Sequence, residues 1–247
     1  MINFLVNILV LVIDVVYKSR PIPRFYVLET VARVPYFAYL SVLHLYETLG
    51  WRRKADWMRV HFAESWNELH HLLIMEELGG GRNLLDSLIA RAAALVYYWI
   101  VVVMYLFNSQ AAYHFMELVE GHAFHTYDQY LKQHKAELEK QPAPAIAISY
   151  YRDGDLYMFD EFQTSHPLGD RRPKVDNLYD VFVAIRDDEK EHVKTMVACQ
   201  QQKHQEQMIS PHAIASQVVA TGVTNKIEPL LDAMLIPEQE VVEMPNT

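Results

Sequence analysis

Residues 68–71 read Glu68-Leu69-His70-His71 and residues 189–192 read Glu189-Lys190-Glu191-His192, so each stretch contains Glu-x-x-His. A lone glutamate stands upstream of each, Glu29 before the first and Glu120 before the second. An α-helix advances about 100° and about 1.5 Å per residue, so positions i and i+3 share a face one turn apart. A carboxylate and an imidazole at that spacing reach one metal pair, and lone glutamates from two further helices bridge or close it. The order Glu then Glu-x-x-His, twice over, is what a four-helix bundle needs to hold two iron ions. Composition alone supplies about one Glu-x-x-His in a chain like this. The weight therefore rests on the order of the four elements and on the helical patterning around each.

The bulk properties agree with an all-α fold. The chain has 247 residues, 51% apolar, with only 8 Gly and little strand-like alternation. It is long enough to bury a sizeable core. A single cysteine, Cys199, excludes an internal disulfide and any thiolate metal site, leaving nitrogen and oxygen ligands. The net charge of −9 is uneven. Residues 1–100 carry 10 Lys/Arg against 9 Asp/Glu, and the rest 12 against 22. A basic, apolar first half suits an anionic membrane surface, and the acidic second half argues against nucleic acid.

Along the chain, residues 1–20 read as an amphipathic, membrane-lying segment. Its apolar part, 1–17, is too short to span a bilayer, which takes about 20 residues, and lacks the flanks of a signal peptide. Pro21 and Pro23 break it. The bundle domain covers 21–205. Helices are predicted over about 24–49, kinked at Pro35, and over about 53–78, stopped by Gly79-Gly80-Gly81. Further helices fall over about 83–107, 109–138 and 175–204, with 141–175 mostly irregular. Residues 92–107 lack any charge, which leaves open whether that stretch spans a membrane or lies in it. Residues 206–247 read as a loosely ordered tail.

The candidate ligands have distinct surroundings. Glu29 sits among Phe25, Val27, Leu28 and Val31, where an unpaired carboxylate is costly, although it is also near a helix start. Glu68 and His71 share a face with Glu64, Leu72 and Met75, while His70 points about 100° away. Asn67 is placed to orient a ligand from behind, or is a plain surface amide. Glu120 shares a stripe with Ala123 and Tyr127, and Glu117, one turn earlier, competes for its role. Tyr127 could hand an electron and a proton to a metal pair; a tyrosine in a chain with 15 of them is by default core packing. Glu189 and His192 share a face with Ile185 and Met196, and Asp188 could hold the outer nitrogen of a ligating histidine. Arg186, Asp187 and Glu191 fit a solvated face.

Four strings carry a family resemblance: FYVLETVARVPY (25–36), ESWNELHHLLIMEELGG (64–80), VEGHAFHTYDQY (119–130) and LYDVFVAIRDDEKEHVKTM (178–196). Over about residues 20–200 the chain resembles the alternative oxidase family, in its plastid terminal oxidase (plastoquinol oxidase) branch of cyanobacterial type. The mitochondrial branch reads Asn-Glu-Arg-Met-His where this chain has Asn67-Glu68-Leu69-His70-His71. The resemblance implies a ferritin-like four-helix bundle with a di-iron carboxylate centre and membrane-lying amphipathic helices. Its ligands would be Glu29, Glu68, His71, Glu120, Glu189 and His192, the same six that the spacing selects. Tyr127 matches the family's essential tyrosine, and Arg24, Leu28, Ala123 and Thr126 match positions around its quinol pocket. His122 departs from the family, standing where the mitochondrial branch has a glutamate. No cysteine matches the site of organic-acid activation, and no transit peptide is read at the start.

The activity so implied is a non-proton-pumping quinol:oxygen oxidoreductase, taking electrons from plastoquinol and reducing O2 to water at two iron ions (Fe2+/Fe3+). It would be a monotopic homodimer on a thylakoid or cytoplasmic membrane, with lipid as its surface partner. Two rivals share the residue pattern. A di-iron hydroxylase of quinone precursors would leave a new oxygen on the ring. A non-enzymatic iron-binding helical protein would fit an apolar first half less well.

Overall fold

The structure, a computed structural model, describes residues 13, 16–17, 19–51, 54–153 and 172–200. Most of the expected N-terminal segment, residues 154–171 and the whole of the expected tail lie outside them. The described helices are α1 (Pro21–Ala32), α2 (Val34–Thr48), α3 (Ala55–Glu77), α4 (Leu84–Phe107), α5 (Ser109–Leu138), α6 (Ala145–Tyr151) and α7 (Leu178–Gln200). Among the described residues there is no strand, only an isolated bridge between Pro142 and Asn177.

The boundaries follow local chemistry. Pro21 and Pro23 do more than end the preceding segment: they open α1, where a missing N–H costs nothing and the fixed φ favours the helix. The single helix expected over 24–49 is divided at Arg33, with Pro35 in the first turn of the second piece. Asn83 and Asn108 cap α4 and α5, their side chains accepting from the Leu85 and Ala111 amides at 2.9 Å. Gly79, at φ +90°, takes the left-handed conformation that closes α3. At Gly80 a Cβ would lie 2.6 Å from the Tyr26 Cβ, so only glycine lets α1 pass this close to the turn. Helix α6 interrupts the stretch expected to be irregular. The Glu77 carboxylate accepts from the Ala145 and Ile146 amides at 2.9 and 3.0 Å, capping a short helix whose own N-cap is a proline.

Packing pairs α5 with α7 most extensively, α1 with α3 and α4, and α2 with α3 and α4. Two apolar clusters result. One gathers Phe25, Tyr26, Tyr127, Leu131, Phe182 and Ile185; the other gathers Tyr36, Tyr39, Trp57, Tyr105, Tyr113 and Met196. Ile185 and Met196 bracket the Glu189–His192 turn of α7, so the polar level lies between the clusters. Helix α4 is different. Leu84, Leu88, Leu95, Val96, Trp99, Ile100, Val103 and Phe107 are exposed along it, a helical apolar stripe facing outward. It is the described helix long and apolar enough to cross a membrane by length and composition.

Candidate metal centre

Four helices aim one ligand-bearing face each at a single point. Glu29 enters from α1, Glu68 and His71 from α3, Glu120 from α5, and Glu189 and His192 from α7. All six side chains are buried. Ligand atoms of Glu29, Glu68, His71 and Glu189 lie within 4.8 Å of one another, and so do those of Glu68, Glu120, Glu189 and His192. Glu68 and Glu189 belong to both groups. The arrangement is two adjacent metal-binding groups with two carboxylates in common. Each group adds one private glutamate and one histidine.

The electrostatics suit a cation. Both oxygens of Glu68 and of Glu189, and Oε2 of Glu29 and Glu120, are buried without a hydrogen-bond partner. Burial, then repulsion from Glu189, Glu120 and Glu29, pushes the Glu68 carboxyl well above its usual range. Burial and Glu189 do the same to Glu120, and burial raises Glu189. Burial disfavours the His71 imidazolium, but Asp188, Glu189 and Glu29 outweigh it and raise its pKa well above the usual value. Metal ions placed among these groups would satisfy the orphaned oxygens together, and a carboxylate-rich nitrogen/oxygen donor set suits iron.

Behind the ligands lies a layer of hydrogen bonds. His71 presents Nδ1 to the carboxylates, 3.3 Å from Glu189 and 3.6 Å from Glu29. Its Nε2 is held by Asp188 Oδ2 at 3.1 Å. The same oxygen accepts from Asn67 Nδ2 at 2.9 Å and Tyr151 at 2.8 Å, and Asn67 also donates to Tyr150. Asn67 thus acts on His71 through Asp188, and the residue before each Glu-x-x-His serves the histidine of the first motif. Asp188→Asn should weaken metal binding about tenfold, the low end of what loss of such an outer partner costs, read by competition against a chelator. The two private glutamates each receive a phenol. Tyr127 donates to Glu29, and Tyr36 to Glu120 at 2.5 Å.

The other sequence expectations divide. Glu117 turns outward to His114 and Gln200, leaving Glu120 as the inward carboxylate. His70 stacks on Tyr150 with ring centroids 4.1 Å apart. Arg24 and Thr126 line one cleft of ≈ 750 Å³, with Phe25, Tyr130 and His134; Leu28 and Ala123 are not in its lining. Glu191, expected on a solvated face, is buried, and its carboxylate is met by Lys194 Nζ at 2.6 Å. The α7 face toward the bundle is simply wider than an i, i+3 stripe. Sequence reasoning missed Tyr36, Tyr150 and Tyr151, which no spacing separates from the other tyrosines. It also passed over a buried chain of polar groups running through His61.

The fold and centre together define a class: a helical bundle built around a buried carboxylate–histidine site able to hold metal ions. The alternative oxidase family profile matches residues 2–201, and the chain belongs to that family. It is 56% identical over 211 residues to the ubiquinol oxidase 4, chloroplastic/chromoplastic, of Arabidopsis thaliana, covering 85% of this chain and 59% of that protein. It is 31% identical over 180 residues to the mitochondrial ubiquinol oxidase 2 of Glycine max, covering 72% and 48%. With the mitochondrial ubiquinol oxidase of Mangifera indica the figure is 30% over 188 residues, covering 76% and 53%. The chain therefore spans between about half and three-fifths of these relatives, and the much higher identity to the chloroplast protein supports the plastoquinol oxidase branch.

Proposed function

We propose that this chain is a quinol:oxygen oxidoreductase that oxidises two plastoquinols and reduces one O2 to two waters at two iron ions. The observation that carries the reading is the convergence of six buried ligand side chains, most of whose carboxylate oxygens accept no hydrogen bond. Glu29 and His71 would serve one iron, Glu120 and His192 the other, with Glu68 and Glu189 between them. When bound, the iron pair supplies the one-electron steps and the binding of O2 that side chains lack.

The chain's own residues supply the rest. The cleft bordered by Arg24, Phe25, Thr126 and Tyr130 would receive the quinol ring, with Arg24 placed to hydrogen-bond a quinol oxygen. Phe25 lines this cleft and stacks on Tyr127 at 4.3 Å. Tyr127 is fully buried and its hydroxyl donates to Glu29. That line runs from the cleft through the Phe25 ring to the Tyr127 phenol and on to a ligand carboxylate. Asp188 fixes the His71 ring, and the two apolar clusters keep bulk water away. The outward stripe of α4 would rest in one leaflet, with two copies paired on a thylakoid-type membrane; the chloroplast relative supports that location.

Iron-loaded protein given decyl-plastoquinol should consume one O2 per two quinols and yield only quinone. No oxygen uptake by folded, iron-loaded protein would sink the oxidase reading, and a hydroxylated ring product would replace it with the monooxygenase one.

A further inference from the structure

Beyond the ligands and the quinol cleft, the bundle holds a second buried polar system that the activity above does not use. His61 and Glu64 lie on α3, about two turns and one turn before Glu68 respectively, and are fully buried. His61 Nδ1 meets Glu64 Oε2 at 2.9 Å, and His61 Nε2 meets the Tyr113 hydroxyl at 2.9 Å. The Tyr113 hydroxyl meets that of Tyr105 at 2.8 Å. Tyr105 and Lys54 line a separate surface cleft of ≈ 320 Å³ between the ends of α2 and α4 and the start of α5.

The string and the quinol cleft sit at opposite ends of α5. Tyr113 is two turns before Glu120 and Tyr127 two turns after it, each about 10 Å along the axis. At its inner end the Glu64 carboxyl is buried, with Thr195 of α7, three residues after His192, as a hydrogen-bonding neighbour. It lies close enough to His192 to feel its charge, and the Tyr36 phenol that donates to Glu120 feels Glu64 in turn.

We propose that Tyr105, Tyr113, His61 and Glu64 form a proton path from the Lys54/Tyr105 cleft to the metal centre, supplying protons for water formation. The proposal rests on the oxygen-reducing reading. Making two waters from O2 takes four electrons and four protons. Two quinols release the same number of each, so protons shed at the quinol cleft are matched by protons taken up at the opposite end. Every group in the string can donate and accept. Burial, then Lys54, holds His61 down to about 3, and burial lifts Glu64 up to about 8, so both are neutral at neutral pH. With the Glu64 acid proton on Oε1, His61 Nδ1–H donates to Glu64 Oε2, Tyr113 donates to His61 Nε2, and Tyr105 donates to Tyr113. In a concerted inward shift Glu64 Oε1 releases its proton toward the centre, the His61, Tyr113 and Tyr105 protons each move one place along, and Tyr105 takes one from the cleft. Every group ends neutral, so no lasting charge is placed in the interior, where charge is costly.

Tyr113→Phe and Tyr105→Phe each remove one hydroxyl and keep the ring. Tyr39→Phe is the control, because its hydroxyl donates to the Ala112 carbonyl at 3.0 Å, outside the string in the same cluster. The first readout needs no turnover. Resting protein is moved into D2O and the Glu64 carboxylic-acid band, identified by its loss in Glu64→Gln, is followed by infrared. Exchange should slow at least about tenfold in Tyr113→Phe and Tyr105→Phe and stay unchanged in Tyr39→Phe. In the second readout, kcat should fall about tenfold in the same two variants with KM within about twofold, and the solvent deuterium isotope effect on kcat should rise. If either variant fails to fold, the other decides. Wild-type exchange and wild-type kcat in a folded, metal-replete string variant would overturn the path. Oxygen uptake absent from the wild-type protein would instead overturn the oxidase reading, and the exchange assay would still decide whether the string reaches Glu64.

Discussion

Glu68→Ala is expected to strip the protein of both metal ions and to end oxygen uptake, whereas Glu120→Ala should retain about one metal ion and lose uptake as completely. Glu68 belongs to both ligand groups, so its removal leaves neither with four donors. Glu120 belongs to one, so Glu29, Glu68, His71 and Glu189 remain as a complete group. Metal analysis separates the two variants where activity cannot. Either loss should exceed the roughly 10–100-fold that follows from losing an outer partner of a ligand. Equal metal content in both variants would mean that the two groups are not filled as two sites.

The same carboxylates make a statement about metal removal. In chelated protein Glu68, Glu120 and Glu189 carry folded-state pKa values above the ordinary carboxylate value, through burial and mutual repulsion, and Glu64 lies at about 8 through burial. Protonation therefore favours the folded chain. Their contribution is fully present below the unfolded value near 4.5 and is lost as pH rises through the raised values. Metal-free protein should melt at progressively lower temperature between about pH 5 and pH 9. Metal-loaded protein should lose the part of this slope that comes from Glu68, Glu120 and Glu189, because binding needs those groups ionised and is favoured by rising pH. Thermal melts with and without chelator at both ends of that range test it. A Tm of the chelated protein that is flat or rises with pH would contradict the account.

Glu29, Glu68, His71, Glu120, Glu189 and His192 were legible in the sequence because a helix turns spacing directly into shared direction. Glu68 and His71 meet for the same reason that any i, i+3 pair does, and the apolar context of Glu29 made an unpartnered carboxylate improbable. The hydrogen-bond layer was legible only in part. Asp188 could be suspected from its neighbour, but that it crosses to the histidine of the other motif depends on how α3 and α7 pack. Tyr36 and Tyr127 look alike in the sequence, each a tyrosine on an apolar helix face. Only the packed bundle gives each a private glutamate. Of the run through His61 only the i, i+3 pair His61–Glu64 has a spacing to read; Tyr113 and Tyr105 join it from α5 and α4 only when the helices pack. Helix α6 escaped because its cap, Glu77, lies 68 residues away in sequence.

Tyr127→Phe should keep its metal, lose a few degrees of Tm and take up oxygen at least about a hundredfold more slowly, the low end of what a positioned proton donor contributes. The ring is buried against Phe25 and Phe182, so phenylalanine fills the same space. The change removes one hydrogen bond to a carboxylate, worth about 1.5–3 kcal/mol. Burial, and then Glu29, raises the phenol pKa well above its usual value, so the hydroxyl stays protonated and can give up an electron and a proton together. Tyr36→Phe is the comparison that isolates this role. Tyr36 is equally buried and also donates to a ligand glutamate, but its ring neighbours are Tyr39, His61 and His192, and none of the residues lining the quinol cleft is among them. Loss of its hydroxyl should perturb Glu120 modestly, about tenfold in turnover at most, as for other outer partners of a ligand. If the two variants fall equally, the link through Phe25 to the cleft contributes nothing particular. If Tyr127→Phe loses metal while Tyr36→Phe keeps it, Tyr127 serves to hold Glu29 in place and the electron must reach the centre by another route.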